Sequence, residues 1–357
     1  MTSSGAPRRA CSALKTEAAQ FTSRDALIED QRAHPPYGTA FGDSLATYVL
    51  VSTTRTGLRW LDSPESLEAK TRRWRAALTD VAAGDRVAWA LAEQPPLNAL
   101  VIPVRPLAHK QRLLALIDHR ATVLVCTPTD ALRLAEVAAA QHVDLVDSAV
   151  RLVVVTGEPG GSVASTRRRI EERFGARCLD VYALTETGVI GWQCPALDRG
   201  LHLDESDFAF EVLEDELILT SLMGLPLVRY RTGDLVRRAE ERCTCGREVV
   251  HVHGRKRDVQ NVRGVDILPA TIENIVRRHP AVSEYRLDTY HVRGECELAI
   301  AVEPDEAVAT EGDRARVAAE VAEDVKRSLG LRLQCEAVPP ASLPRDDPRP
   351  RRVVRRS

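Results

Sequence analysis

Short apolar runs alternate with amphipathic segments through the first half of the chain. The runs VAWALA, NALVIPV, TVLVCTP and RLVVVTG are short and apolar, and they contain β-branched residues. Between them, HKQRLLALIDHR, PTDALRLAEVAAAQ and VASTRRRIEERFG have the apolar spacing of helices. Strands that alternate with helices of this length indicate a parallel sheet with crossover helices. The pattern therefore predicts an α/β fold.

The pattern changes after Val181, where hairpins replace the alternation of strands and helices. FAFEVLEDELILTS contains two strands around an acidic turn, and LVRYRTGDLVRR continues the meander. From about Gly264 the order becomes helix, β-hairpin, helix and strand, which over roughly 100 residues suffices for a small α+β domain. We predict a large N-terminal domain with mixed or parallel sheets and a β-rich subdomain, followed by a small mobile C-terminal domain.

Composition limits the class of protein. The chain has 357 residues, a formal net charge of -2 and 28% charged residues, so its charge gives no general attraction to nucleic acid or to anionic membranes. No apolar run reaches the ~20 residues that span a bilayer. Residues 1–20 are predicted to be a mobile leader and lack the apolar core of a signal peptide. We expect a cytoplasmic protein with no nucleic-acid or membrane partner.

Polar clusters follow the short strands between Val181 and Gly264. The clusters are Thr185–Glu186, the stretch Arg231 to Asp234, and the stretch Arg255 to Asp258. Polar groups at strand ends are how α/β proteins build a nucleotide pocket from several loops. The sequence therefore predicts nucleotide binding in this stretch.

Two further loops are candidates for the same pocket. STTRTG, at 52–57, follows an apolar strand, and such a loop can wrap backbone N–H groups around phosphate oxygens. Ser/Thr-rich turns are common, so this loop is a weak signal by itself. TGEPGG, at 156–161, is a turn at the end of a strand, where a doubly wound sheet binds its ligand.

Four residues in the β-rich region have the chemistry of a zinc site. They are Cys194, His202, Cys243 and Cys245. Three thiolates and one imidazole match a tetrahedral Zn²⁺ centre, although C-x-C is tighter than the usual spacing. The alternative is free cysteines beside a surface histidine, and His251 or His253 are substitutes for His202. A bound zinc would be structural.

Together these motifs resemble the phenylacetate–CoA ligase branch of the adenylate-forming superfamily. The similar stretches are GEP at 157–159, YALTETG at 182–188, LVRYRTGD at 227–234, CTCGR at 243–247, and GRKRD to VRGVDILPATIE from 254 to 273. The resemblance runs from about Phe21 to the end of the chain. It implies that a carboxylic acid and MgATP form an acyl-adenylate, from which a thiol then displaces AMP.

The resemblance also implies roles for individual residues. Glu186 would hold Mg²⁺, Thr185 would contact the α-phosphate, and Asp234 would accept both ribose hydroxyls beside Arg255. The phosphate loop would contain Ser52, Thr53, Thr56 and Gly57. The other nucleotide-binding candidates are Gly157, Glu158, Pro159, Tyr182 and Ala183, most of them around the adenine with Tyr182 as a stacking face.

The implied domains are a large nucleotide- and acid-binding domain at 21–253, a hinge at 254–258 and a small domain at 259–357. The small domain would rotate about the hinge between the two half-reactions.

The chain departs from the family pattern in three places. In the phosphate loop Thr54 replaces a glycine and Arg55 replaces a small hydroxyl residue, so the usual cradle for phosphate is altered. Arg349, between two prolines, stands where relatives have a catalytic lysine, and its fork is not equivalent to an ammonium group. The N-terminal part and the wall of the acid pocket both look short, so the pocket is reshaped, opened or completed by a partner chain.

The sequence therefore predicts ATP-dependent activation of a small, aromatic carboxylic acid for transfer to CoA, a carrier thiol or an amine. The expected cofactors are ATP/AMP, Mg²⁺, structural Zn²⁺ and, for a thiol acceptor, CoA. Two alternatives remain open: a ligase with a non-thiol acceptor, and a non-catalytic relative that acts as a partner or sensor. A carrier protein and a homodimer are also compatible with the sequence.

Overall fold

The computed structural model describes residues 21–42, 46, 48–51, 57–292, 294–345 and 352–356. The predicted leader at 1–20 lies outside these residues. So do the candidate site residues Ser52, Thr53, Thr56 and Arg349, as well as Thr54 and Arg55.

The described chain begins with a helix, a hairpin and a second helix. These elements are α1 (Arg24–Ala33), β1 (Tyr48–Val51), β2 (Arg59–Asp62) and α2 (Pro64–Ala77). Each helix starts at a serine whose hydroxyl accepts a backbone N–H of the first turn: Ser23 accepts from Ala26, and Ser63 accepts from Ser66. These N-caps satisfy donors that a helix start otherwise leaves unpaired.

A seven-stranded sheet follows and forms the centre of the large part. Its elements in chain order are β3 (Arg86–Trp89), β4 (Leu100–Pro103), α3 (His109–Asp118), β5 (Val123–Cys126), α4 (Pro128–Ala140), β6 (Leu152–Thr156), α5 (Ala164–Phe174), β7 (Arg177–Leu184), β8 (Gly188–Trp192) and β9 (His202–Leu203). The strand order is β4-β3-β5-β6-β7-β8-β9. Strands β3 to β7 pair in parallel, and β8 and β9 join in antiparallel fashion. The predicted parallel sheet with crossover helices is confirmed.

Both faces of this sheet are buried, which explains the uninterrupted apolar runs in the sequence. Along β6, Val153 and Val155 point into the core that contains the helices α3, α4 and α5. Leu152 and Val154 point into a second core that contains Trp74 of α2. Because β3 to β7 run in parallel, their carboxyl ends lie at one edge of the sheet, where the loops that follow them meet.

The predicted meander is a four-stranded antiparallel sheet in the order β10-β11-β12-β13. Its strands are β10 (Phe208–Leu213), β11 (Glu216–Ser221), β12 (Tyr230–Arg238) and β13 (Val250–Arg255). The register places Asp234 of β12 directly opposite Arg255 of β13. A carboxylate and a guanidinium are therefore neighbours across the two strands.

The last part of the chain forms a separate α+β unit with its own core. Its elements are β14 (Gln260–Val262), β15 (Val265–Ile267), α6 (Pro269–Val276), β16 (Val282–Val292), β17 (Glu295–Pro304), α7 (Glu311–Leu329), β18 (Gln334–Ala337) and β19 (Val353–Arg355). The main sheet has the order β18-β17-β16-β19, and its core includes Ile272, Ile300 and Val321. A single 3-10 turn at Lys256–Asp258 connects β13 with this C-terminal unit.

Helix α5 holds the C-terminal unit against the large part. Thr166 Oγ1 donates to Glu273 Oε1 over 2.6 Å, and both residues are buried. The Arg169 guanidinium donates to the carbonyls of His279 and Val282, at 2.6 Å each. These contacts place α6 and β19 beside the loops at the edge of the seven-stranded sheet.

No helix in the part of the chain that the structure describes is both long enough and apolar enough to cross a lipid bilayer.

A buried arginine joins α2 to the meander. The Arg73 guanidinium contacts Asp207 and the Thr187 carbonyl, and it lies 5.0 Å from the centre of the Phe208 ring. The Arg73 side chain is only 3% exposed. Removal of this cation leaves the buried Thr187 carbonyl without this donor and leaves the buried Asp207 carboxylate with only the half-exposed Arg72 as its cation.

We expect Arg73→Met to lower the free energy of unfolding by about 3–5 kcal/mol, the range for a buried ion pair that loses one member. Equilibrium urea unfolding measures this change. The matched control is Arg72→Met, because Arg72 contacts the same carboxylate but is 56% exposed. The control should cost about 1 kcal/mol or less, and equal losses in both variants would contradict the interpretation.

Candidate active site

The loops that carry the sequence motifs meet around one cavity of about 510 Å³. It lies where the carboxyl ends of β6 and β7 approach β12, β13 and the C-terminal unit. The predicted nucleotide and catalytic residues in its lining are Gly157, Glu158, Pro159, Tyr182, Ala183, Thr185, Glu186, Asp234 and Arg255. Among the described nucleotide and catalytic candidates, Gly57 alone does not line the cavity. The structure thus brings together motifs that are far apart in the sequence.

Asp234 lies at the centre of a three-residue cluster. The Tyr182 hydroxyl donates to Asp234 Oδ2 over 2.6 Å, and Arg255 Nε lies 3.1 Å from Oδ1. Burial raises the pKa of Asp234, although Arg255 and the Tyr182 hydroxyl act against that shift. The carboxylate is 4% exposed and has one fixed orientation towards the cavity.

The turn before Asp234 is fixed by its own hydrogen bonds. Gly233 has a φ of +73°, a conformation that residues with a Cβ rarely adopt. Thr232 Oγ1 donates to the Leu217 carbonyl over 2.7 Å and accepts from the Asp234 amide over 3.1 Å. The Thr-Gly-Asp order therefore fits a tight bend that aims the aspartate, which explains why the motif has this composition.

Glu186 is buried beside this cluster and already has two partners. Arg24 of α1 forms an ion pair with Oε1, and the Tyr230 hydroxyl donates to the same oxygen over 3.0 Å. Burial, together with the adjacent Glu186 carboxylate, raises the pKa of Tyr230. Sequence analysis did not identify Arg24, because it precedes Glu186 by 162 residues and belongs to no motif.

The turn after β6 forms the cavity wall opposite the other nucleotide motifs. Glu158 Oε2 accepts hydrogen bonds from the Thr129 hydroxyl and amide, at 2.5 and 3.2 Å. A Cβ at Gly160 would lie 2.5 Å from Pro128 Cβ, and one at Gly161 would lie 2.2 Å from Asp180 Oδ1. The two glycines are thus required by the close approach of β7 and α4. Thr129 and Asp180 are site residues that the motifs did not reveal.

The C-terminal unit contributes Arg352, Tyr285 and Glu273 to the cavity. Arg352 Nη2 lies 3.4 Å from Thr129 Oγ1, and Arg352 Nε donates to Glu284 Oε1 over 3.2 Å. The guanidinium also lies 5.4 Å from the centre of the Tyr285 ring. Arg349, the residue predicted to replace a lysine here, is outside the described residues, so its role stays a prediction.

A second cluster contains the predicted zinc ligands. The side-chain ligand atoms of Cys194, His202, Cys243 and Cys245 all lie within 4.8 Å of one another. The sulfurs of Cys194 and Cys243 are 3.7 Å apart, and His202 Nε2 is 3.3 Å from the sulfurs of both Cys194 and Cys245. His202, rather than His251 or His253, belongs to this cluster.

Comparison with known proteins finds relatives among the phenylacetate–coenzyme A ligases. The phenylacetate–coenzyme A ligase of Thermus thermophilus is 28% identical over 286 residues, which cover 70% of this chain and 64% of the relative. The enzyme of the same name from Escherichia coli is 27% identical over 278 residues, which cover 72% of this chain and 63% of the relative. The chain is similar to phenylacetate–coenzyme A ligases. It spans less than two thirds of the length of these curated relatives.

The C-terminal unit has its own match. Residues 264–356 match the family model described as the AMP-binding enzyme C-terminal domain. This match covers β15 to β19 with α6 and α7, and it includes Arg352 and Tyr285, which line the cavity.

Solved structures show the same fold. 2-Hydroxyisobutyryl-CoA ligase in the postadenylation state, in complex with R3-HIB-AMP, has a TM-score of 0.87 at 22% identity, with coverage of 95% of this chain and 80% of that chain. The same ligase in the thioesterification state has a TM-score of 0.62 at 23% identity, covering 94% of this chain and 80% of that chain. At these identities, both comparisons show a common fold.

Asp180 gives the cavity edge a measurable pH dependence. Burial raises its pKa from 3.8 to about 6, although the Ser162 hydroxyl donates to it over 2.6 Å. Because the folded-state pKa is raised, ionisation of Asp180 opposes folding. This destabilisation develops as the pH rises from 3.8 towards 6 and is complete above that value.

We therefore expect Asp180→Asn to gain stability relative to the original chain as the pH increases. The difference in free energy of unfolding should grow by about 1 kcal/mol between pH 5 and pH 7.5 in urea titrations. An exposed control, Asp118→Asn, should show a difference that does not change with pH. A constant difference for Asp180→Asn would contradict the raised pKa.

Proposed function

We propose that this protein activates a small carboxylic acid with ATP to form an acyl-adenylate and then transfers the acyl group to a thiol such as CoA. One observation carries the proposal. Tyr182, near the end of β7, and Glu186, just after it, line one cavity together with Asp234 of β12 and Arg255 of β13, and their polar groups are fixed by pairing. The similarity to phenylacetate–coenzyme A ligases supports the same conclusion.

The proposed reaction has two group-transfer steps. In the first, a carboxylate oxygen of the acid attacks the α-phosphorus of ATP, and the bond to the leaving pyrophosphate breaks. In the second, a thiolate attacks the acyl carbon, and the bond between that carbon and the AMP oxygen breaks. The protein contributes mainly by holding the reactants in line and by neutralising their charge.

The Asp234 cluster is suited to hold the nucleoside. A buried carboxylate with a fixed orientation accepts hydrogen bonds from two adjacent ribose hydroxyls. Arg255, 3.1 Å away, stabilises its charged form, and Tyr182 presents a ring at the same place for stacking on the base. Glu158 and Pro159 form the other wall of the proposed base site.

Glu186 is the residue proposed to hold Mg²⁺, whose role is to neutralise charge on the phosphates. Its carboxylate lines the cavity and supplies the oxygen ligands that this hard cation prefers. Both described contacts, from Arg24 and Tyr230, are to Oε1. Thr185, next to it in the same lining, is proposed to contact the α-phosphate.

The C-terminal unit is proposed to move between the two steps. The contacts of α5 with Glu273, His279 and Val282 hold it in its present position. We assign residues 254–258 as the hinge, because the Lys256–Asp258 turn is the short connection between β13 and β14. The proposed domains are accordingly 21–253 and 259–357.

A non-catalytic role as a partner or sensor is the second candidate, and one observation favours it. Arg24 occupies an oxygen of Glu186 where a metal ion would otherwise bind. A ligase with a carrier thiol or an amine as acceptor uses the same adenylation step, so these variants of the proposal differ only in the second step.

We also propose a structural zinc ion in the Cys194, His202, Cys243 and Cys245 cluster. Tetrahedral Zn²⁺ with bonds to sulfur of about 2.3 Å puts two sulfurs about 3.7 Å apart, which matches the separation of Cys194 and Cys243. His202 Nδ1 is 2.6 Å from the Glu248 carbonyl, so Nδ1 carries the proton and Nε2 is free to bind a metal. The ion would fix β9 to the end of the meander.

The adenylation step makes a sharp prediction for Glu186. With at least one acid of an aromatic panel, the protein should catalyse acid-dependent exchange of labelled pyrophosphate into ATP. Glu186→Gln should reduce this exchange by about a hundredfold or more, because it removes the charged ligand for Mg²⁺. The exposed control Glu240→Gln should leave the rate unchanged. Calorimetry that shows no MgATP binding with any acid present would favour the non-catalytic alternative.

The zinc proposal predicts about one zinc per chain in the purified protein, measured by plasma mass spectrometry. Cys243→Ser should lower the zinc content to well below half of that in the original protein. It should also reduce the melting temperature, because a site with three ligands binds zinc more weakly and metal binding contributes to folding stability. Cys296→Ser changes a cysteine outside the cluster and should retain the metal. Zinc well below one per chain in the original protein would refute the site.

A further inference from the structure

Part of the cavity wall belongs to none of the nucleotide motifs. The segment after β3 contributes Leu91, Ala92 and Glu93, and α2 contributes Trp74. Gly188, the last residue of the YALTETG motif and the first of β8, also lines the cavity and directly follows the Thr185–Thr187 turn. This wall is mainly apolar and adjoins the proposed site of adenylation, so it is where the acyl group of the acid would lie.

Glu93 places a carboxylate on this otherwise apolar wall. Its side chain remains 28% exposed. The backbone carbonyl of Glu93 accepts a hydrogen bond from Trp89 Nε1 over 2.7 Å, which fixes the segment at this point. Among the described residues, the one cation within 4.0 Å of the carboxylate is Lys70, whose Nζ is 3.9 Å from Oε1.

Lys70 forms its shorter ion pair with a different carboxylate, that of Asp62. Its Nζ lies 2.6 Å from Asp62 Oδ2, and the two side chains are 6% and 0% exposed. Two carboxylates therefore share one ammonium group, and the closer partner is Asp62. When all three groups are charged, this corner of the cavity has a net charge of -1, located at Glu93.

Lys70 also connects this corner to the reaction site. A Cβ at Gly188 would lie 2.9 Å from Lys70 Cγ, so the lysine stem packs directly against the glycine of the Thr-Glu-Thr-Gly turn. The charge at Glu93 is thus held beside the proposed acyl site by packing.

We propose that Glu93 selects acids whose acyl group carries a hydrogen-bond donor, an amino or hydroxyl group, away from the reacting carboxyl. This inference rests on the proposed acid-activating function and specifies its substrate class. An acid that fills the cavity displaces water from the Glu93 carboxylate. A donor on the acid then replaces the lost hydrogen bonds, whereas an apolar isostere leaves a charged group unpaired.

The electrostatic environment of Glu93 agrees with this role. Burial raises its pKa, with Lys70 acting against the shift and Asp62 adding to it. The carboxylate is therefore poorly solvated by its own surroundings, and a ligand that donates a hydrogen bond provides what the protein lacks.

The test uses a matched panel of benzoic acids that differ at the 3- or 4-position by a methyl, hydroxyl or amino group. The original protein should show a kcat/KM for pyrophosphate exchange about 10- to 100-fold higher with the best hydroxyl or amino acid than with its methyl isostere. Glu93→Leu should abolish or reverse that preference. Glu93→Gln keeps an acceptor and should retain part of the preference for hydroxyl groups.

The exposed Glu205→Gln variant is the control and should behave like the original chain. The ratio of its kcat/KM values for the donor-bearing acid and the methyl isostere separates a local effect at Glu93 from a general effect of removing a carboxylate. Calorimetric binding of the same benzoic acids in the presence of AMP gives a second measurement that does not depend on turnover and also reports whether the variants are folded.

The outcomes separate this inference from the proposed function. Exchange activity with no preference for donors, or with a preference unchanged in Glu93→Leu, overturns the inference and leaves the function intact. Absence of exchange with every acid, together with Glu93-dependent binding of hydroxyl or amino acids, overturns the function and supports the inference. Neither exchange nor binding of any panel acid overturns both.

Discussion

The hydrogen bond between Tyr182 and Asp234, together with the Asp234–Arg255 ion pair, is the interaction on which the site depends. Tyr182 lies near the end of β7 in the large sheet, Asp234 lies in the meander, and Arg255 is the last residue before the turn into the C-terminal unit. Three separately folded regions therefore meet at one carboxylate. Loss of any one contact would leave a buried polar group unpaired, which costs about 1–3 kcal/mol and disturbs the other two regions.

Several carboxylates of the site lie in buried positions, where their charged form is poorly solvated. Burial raises the pKa of Asp180, Asp234 and Glu93, and each carboxylate faces or adjoins the same cavity. Such groups oppose folding, but their hydrogen-bond capacity is fixed in position before a ligand arrives. Glu158 and its partner Thr129 extend this arrangement to the other wall. Binding of a ligand with complementary donors would relieve part of the cost.

The sequence predicts the local parts of this structure well and its long-range partners poorly. The motifs predicted that Tyr182, Glu186 and Asp234 share one pocket, and all three line the cavity of the structure. The motifs did not single out Arg24, which is isolated in the sequence, or Arg352, which stands among several C-terminal arginines, because the partners of both are set by tertiary packing.

The choice of His202 over His251 in the metal cluster follows from register. Trp192 pairs with His202, so the histidine lies next to Cys194, and the Leu201–Val250 bridge brings Glu248 near its ring. Spacing along the chain does not encode that pairing.

Arg352 connects the C-terminal unit to the wall of the cavity. Glu284 and Tyr285 hold Arg352 within the C-terminal unit, so the guanidinium moves with that unit. Its contact with Thr129, at 3.4 Å, joins it to the turn that carries Glu158. Rotation of the C-terminal unit would withdraw Arg352 and Tyr285 from the cavity but leave Tyr182 and Asp234 in place. The Tyr182–Asp234 contact would therefore survive such a rotation, whereas the contact between Arg352 and Thr129 would not.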